Sequence, residues 1–170
     1  LFGREYSDGT VKDLLSLPTS RTRILNAKFI IYIIWCLALV VSNLIIGLLI
    51  GTILQLPSTK INVLYPLLTD YFITTILTIL IGVPIPFFAL LGKGYLAPLG
   101  FVALTLVLAQ VIAAIGYGSY FPWSIPGLYS GAGGAFKNLL DKYSYLILIL
   151  TCIAGYIATV IYWKNADQTK

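Results

Sequence analysis

Six acidic residues, eleven Lys and Arg and no His stand among 170 residues, so the side chains able to do acid–base or metal chemistry can be taken one by one. Asp70 and Asp141 each stand near the start of a long apolar run. In the first turn of a helix a carboxylate meets the positive end of the helix dipole. A solvated helix cap is therefore the expected role of both, with a buried ionisable role as the alternative. Cys36 and Cys152 fall inside apolar runs, and without His neither a metal site nor a disulfide framework is indicated. Gly92-Lys93-Gly94 has no upstream glycine at P-loop spacing and no Ser or Thr after the lysine. Ser130-Gly131-Ala132-Gly133-Gly134 has no strand ahead of it, so neither stretch is read as a cradle for ATP phosphates. No catalytic residue and no metal ligand is assigned. Asn43 and Gln110 are the polar side chains deepest in the apolar runs. For Asn43 the expected role is an interhelical hydrogen bond, with contact to a transported molecule as the other reading; both amides are kept as pathway candidates.

Chemistry of a different kind, recognition, is concentrated in residues 5–21. Val11, Leu14 and Leu15 follow the i, i+3, i+4 spacing of one helical face, and Lys12, Asp13 and Ser16 lie off it. Ser7 or Asp8 is placed to cap the start of this helix. Pro18 disfavours a helical Leu17 and ends it. Thr19 or Ser20 is then placed to cap a second helix beginning near Arg21. A short amphipathic helix held between a cap and a proline suits docking to a soluble partner. An interfacial anchor is the other reading.

The elements that must position these residues are membrane spans. Hydrophobic residues make up 59% of the chain and charged ones 10%, with a mean hydropathy of +0.94; a soluble domain has about 25% charged residues. The expected fold is an all-α integral membrane protein with four transmembrane helices. The net charge of +5 lies mostly at the ends of apolar runs, where it reports orientation rather than nucleic-acid binding. The first span is placed at 29–54, and within it Gly47 and Gly51 form a GxxxG pattern that allows another helix to approach closely. The second is placed at 71–92, where Pro84 and Pro86 should kink or break the helix, as a hinge or as a static kink. The third is placed at 98–116, with Ala113, Ala114 and Gly116 as a small-residue surface, and the last at 143–163, with Ala154 and Ala158 spaced for packing. Between these two, residues 117–142 mix aromatics with Pro and Gly. They are expected to form a half-inserted hairpin or short interfacial helices. With 1–28 and the tail 164–170 inside, the inner face carries Arg4, Lys12, Arg21, Arg23, Lys28, Lys93, Lys164 and Lys170 against Lys60, Lys137 and Lys142 outside. This asymmetry predicts cytoplasmic ends. The chain opens on Leu1 and contains no Met, which reads as an internal piece of a longer protein.

The pattern Glu5-(x)3-Gly9-Thr10-x-Lys12, followed by Leu14-Leu15, Leu17-Pro18, Ser20-Arg21 and Lys28, resembles the cytoplasmic loop of type 2 ABC-transporter permeases. In that family this loop is the coupling helix, which docks on a separate ATP-binding subunit, and an external re-entrant hairpin precedes the last helix. The resemblance implies a transmembrane permease subunit, by its overall tone similar to small bacterial permeases of bacitracin and lantibiotic export or resistance. It covers about four of the family's six helices and implies that two N-terminal helices are missing. It implies docking through Glu5, Gly9, Thr10, Val11, Lys12, Asp13, Leu14, Leu15 and Arg21, with ATP and Mg bound by the partner and no cofactor here. A second permease copy would complete the assembly, with Gly47 and Gly51 available for packing. A non-transporting scaffold or immunity protein is the alternative. An intramembrane enzyme would need nucleophiles or metal ligands within the spans, and a channel would need a charged or carbonyl-rich filter.

Overall fold

The computed structural model describes residues 19–55, 61–131 and 140–165, with the single positions 3 and 10. Every element among them is helical: α1 (Arg21–Ile53), α2 (Ile61–Gly82), α3 (Ile85–Leu91), α4 (Leu96–Ala114), two short 3-10 turns (Gly118–Tyr120 and Pro122–Ser124), α5 (Ile125–Tyr129) and α6 (Lys142–Asn165). Helices satisfy their own backbone polar groups, which is the condition for crossing hydrocarbon. Four stretches are long and apolar enough to do so: Arg21–Ile53, Leu64–Leu91, Leu96–Ala114 and Lys142–Asn165. The protein is a multi-pass membrane protein.

α1 starts where the sequence reading expects a helix, near Arg21, and the start of α2 differs from the expectation. α1 begins at Arg21 and runs without interruption into the first apolar stretch, for 33 residues. Ser20 stands at the cap position in an extended conformation, but its side chain makes no capping bond; its carbonyl instead accepts the Arg23 and Ile24 N–H groups. The second helix begins at 61 rather than 71 and takes Pro66 into its second turn. The apolar run resumes at Ile61, and one proline near a helix start removes a single hydrogen bond, so Asp70 is not where the helix begins. It lies mid-helix, and its Oδ1 faces the Tyr129 hydroxyl at 3.5 Å. The helix-cap role expected of Asp70 is therefore corrected. Asp141 does take that role: its Oδ1 accepts the Lys142 N–H at 2.7 Å, and its own N–H donates to Ser144 Oγ at 3.3 Å. Asp141→Ala is expected to lower stability by about 0.5–2 kcal/mol, measured as a drop in the thermal unfolding midpoint of the detergent-solubilised protein.

α6 is the spine of the bundle. Near its end, Trp163 packs with Leu25 and Phe29 of α1 and Ala89 and Leu90 of α3. Near its start, Leu148 packs with Leu77 of α2 and Ile125 of α5. α1 joins the bundle at its base, and most of its length presents apolar side chains such as Ile34, Leu37, Ile45 and Leu49 outward. The short helices after α4 are held by local bonds. Ser124 Oγ donates to the Gly118 and Phe121 carbonyls, and Pro122 and Pro126 sit at helix starts, where a missing N–H costs nothing. An aromatic series ties them inward: the Phe88 and Phe101 rings stack at 3.7 Å, and Phe101 meets the Trp123 ring edge-on at 5.3 Å.

Candidate functional site

Arg21, the last residue of the segment 5–21 read from sequence as suited to docking, stands in a tight joint. Arg21, the first residue of α1, is bound twice by the end of α6: its carbonyl accepts the Trp163 indole N–H at 2.8 Å, and its Nη1 donates to the Lys164 carbonyl at 3.2 Å. One turn on, the Tyr156 hydroxyl donates to Asn26 Oδ1 at 2.9 Å. Lys28 is buried with its Nζ 4.7 Å from the centre of the Trp163 ring, a cation–π contact that gains strength away from water. Phe29 lies against Tyr156, ring centroids 5.3 Å apart. Leu25 and Trp163 are fully buried between these polar contacts. Hydrogen bonds, a cation–π contact and apolar packing thus join the base of α1 to α6 and α3 as one unit.

Three turns beyond Arg21, Tyr32 reaches the break in the second span. The break has a simple origin. Pro84 has no N–H to offer the Leu80 carbonyl, and the Val83 N–H turns to that carbonyl at 3.2 Å. The Ile79 carbonyl, the usual acceptor for the Val83 N–H, accepts the Tyr32 hydroxyl at 3.0 Å. Close approach depends on Gly82, where a Cβ would overlap Tyr32 Oη. On the α6 side, a Cβ on Gly155 would fall 2.6–2.7 Å from Pro84 atoms. The break is gripped from two sides. A second bond from α2 to α1, from the Tyr71 hydroxyl to the Val40 carbonyl at 2.8 Å, lies farther along.

Of the docking residues expected from sequence, Glu5, Gly9, Val11, Lys12, Asp13, Leu14 and Leu15 lie outside the described residues. Thr10 is exposed at a turn, and Arg21 is exposed at the joint. Asn43 is exposed, and its side-chain N–H bonds to the Leu39 carbonyl of its own helix at 3.0 Å. Among the described residues, the expected interhelical bond is not made. Gln110 is also exposed and lines a cleft of about 270 Å³ with Thr78, Leu106, Trp123 and Gly127. The two amides are not brought to one site. Gly47 is exposed, and a Cβ there would meet nothing within 4 Å, whereas Gly51 is buried. The residues missed by sequence reasoning are Tyr32, Gly82, Gly155 and Trp163. Trp163 reads from sequence as an interfacial aromatic, and a lone Gly155 in an apolar run has no pattern around it. Pro84 was the available signal, because a broken helix obliges some neighbour to satisfy a freed carbonyl.

The family model described as ABC-2 family transporter protein matches residues 1–112. This chain belongs to that family. The ABC-2 match takes in residues 5–21, the joint's α1 half, the break and nearly all of α4. A relative, Bacitracin transport permease protein BCRB of Bacillus licheniformis, is 29% identical over 167 residues, covering 98% of this chain and 80% of its own length. That similarity extends the ABC-2 likeness across α6 and so across both halves of the joint. No solved structure matches. The protein is a transmembrane subunit of an ABC-2 transporter.

Proposed function

We propose that this chain is the permease subunit of an exporter, driven by a separate ATP-binding subunit that docks on residues 5–21. The observation that carries the reading is the joint. A push on the segment before Arg21 enters the bundle where α1, α3 and α6 are bound together, so movement of the segment acts on the transmembrane core. Val11, Leu14 and Leu15 form the apolar face that fills a groove on the partner, while Glu5, Lys12, Asp13 and Arg21 set its orientation. ATP and Mg are bound by the partner, and this chain has a non-catalytic role. A second permease copy completes the pathway. The distribution of basic residues favours cytoplasmic ends. The short helices at 118–129 then lie on the outer side, and the contact of Trp123 with Phe101, in the second turn of α4, supports their re-entry into the membrane. The relative's description supports an antimicrobial peptide or another amphiphile as substrate.

The test is co-purification of the full-length protein from its native membrane, followed by an ATPase assay. An ATP-binding protein is expected to come down with the unaltered chain and to be lost with Leu14→Asp combined with Leu15→Asp. Absence of any ATPase in both arms would overturn the docking reading and favour the scaffold or immunity alternative.

A further inference from the structure

We propose that Tyr32 is the positioning residue through which movement of α1 sets the conformation of the break at Val83–Pro84. The inference rests on the permease reading above.

A carbonyl in hydrocarbon needs a donor, and the Ile79 carbonyl has two sources. One is the Tyr32 hydroxyl, which it uses here at 3.0 Å. The other is the Val83 N–H, its ordinary partner four residues on, now turned to the Leu80 carbonyl at 3.2 Å. If α1 withdraws Tyr32, the Val83 N–H is the donor at hand. Its return to Ile79 restores the last α-helical bond that Pro84 permits and so changes the turn that joins α2 to α3. The two arrangements exchange one hydrogen bond for another, so a small displacement of α1 is enough to choose between them. Gly82 leaves the hydroxyl room to approach and to leave. Pro84 sits against the backbone of α6 at Gly155, a packing contact with no hydrogen bond to exchange, whereas the α1 side grips the break through one hydroxyl that can be exchanged. Tyr71 bonds α2 to α1 in the same way, tyrosine hydroxyl to backbone carbonyl, but at Val40 and away from the break. It is therefore the matched control.

The experiment uses the full-length chain with its ATP-binding partner in nanodiscs of phosphatidylethanolamine and phosphatidylglycerol. Amide hydrogen exchange is followed over 79–86 and over 21–29, without nucleotide and after trapping with ATP, Mg²⁺ and vanadate. In the unaltered protein both segments are expected to respond to trapping. In Tyr32→Phe the break should stand in the arrangement without the hydroxyl at all times, so exchange at 79–86 without nucleotide should already match that of the trapped unaltered protein, and its response to trapping should disappear while 21–29 still responds. Tyr71→Phe should keep the response at 79–86. The inference is overturned if Tyr32→Phe responds like the unaltered protein, or if Tyr71→Phe loses the response equally. It is also overturned, with the permease reading left standing, if 21–29 responds in the unaltered protein and 79–86 does not. If no ATP-binding subunit associates, or neither segment responds, both readings fall together.

Discussion

Trp163→Ala is expected to lower the stability of the solubilised protein by about 3–5 kcal/mol, the range for removing a large aromatic from a packed site. Trp163 is fully buried among Leu25, Phe29, Ala89 and Leu90, so truncation opens a cavity shared by three helices. It also frees the Arg21 carbonyl, which accepts the indole N–H, and removes the ring facing Lys28 Nζ. A buried ammonium that loses its aromatic face is costly to leave in place. Trp163→Phe separates the contributions. It keeps a ring over Lys28 and loses the donor to Arg21, and about 1 kcal/mol of the effect should belong to that hydrogen bond. Thermal unfolding of the two variants and the parent in the same detergent makes the measurement. Equal midpoints for Trp163→Ala and the parent would mean the joint is not held by this side chain.

Gly155→Leu is the second large effect, expected at about 3 kcal/mol or more, because overpacking a tight contact forces the backbone to move. A Cβ at this position would meet the Cα, Cβ and Cγ of Pro84 at 2.6–2.7 Å. Proline has no rotamer by which to yield, and its ring is fixed in the chain. α6 would have to withdraw from the break, which would also loosen Thr159 and Trp163 on later turns of the same helix. Ala154→Leu is the control: Ala154 is exposed, and the cost there should stay within about 0.5 kcal/mol. A matching loss at both positions, read from unfolding midpoints, would show that α6 responds to bulk in general and not to the contact with Pro84.

The contrast between these two neighbours shows what the sequence discloses and what it hides. Helical spans are legible because hydrocarbon permits so few backbone conformations, and the break was legible because Pro84 and Pro86 remove donors wherever they stand. The start of α2 was not, since Pro66 and Asp70 are turn-like residues by type, yet the apolar run around them outweighs one lost hydrogen bond and one half-buried carboxylate. Ala154 and Ala158 matched a small-residue pattern, while the close contact falls on Gly155. Which face of a span meets another helix depends on where the neighbours stand, and in an almost uniformly apolar run the faces carry little to tell them apart. The joint was hidden for a related reason. Trp163 and Arg21 are 142 residues apart, and aromatic and basic residues at span ends have interfacial roles of their own. Asn43 drew attention through polarity alone, and it satisfies itself on Leu39.

The length of α1 has a mechanical meaning. Of the 33 residues of α1, the uncharged run from Phe29 to Ile53 makes a rod of about 37 Å, longer than a hydrocarbon layer of about 30 Å, and its foot is fixed to the rest of the bundle. Such a rod accommodates its excess by leaning. A thicker bilayer would stand it more upright and a thinner one would lay it down, so lipid chain length becomes an input to the angle of the helix whose foot is bound to α3 and α6.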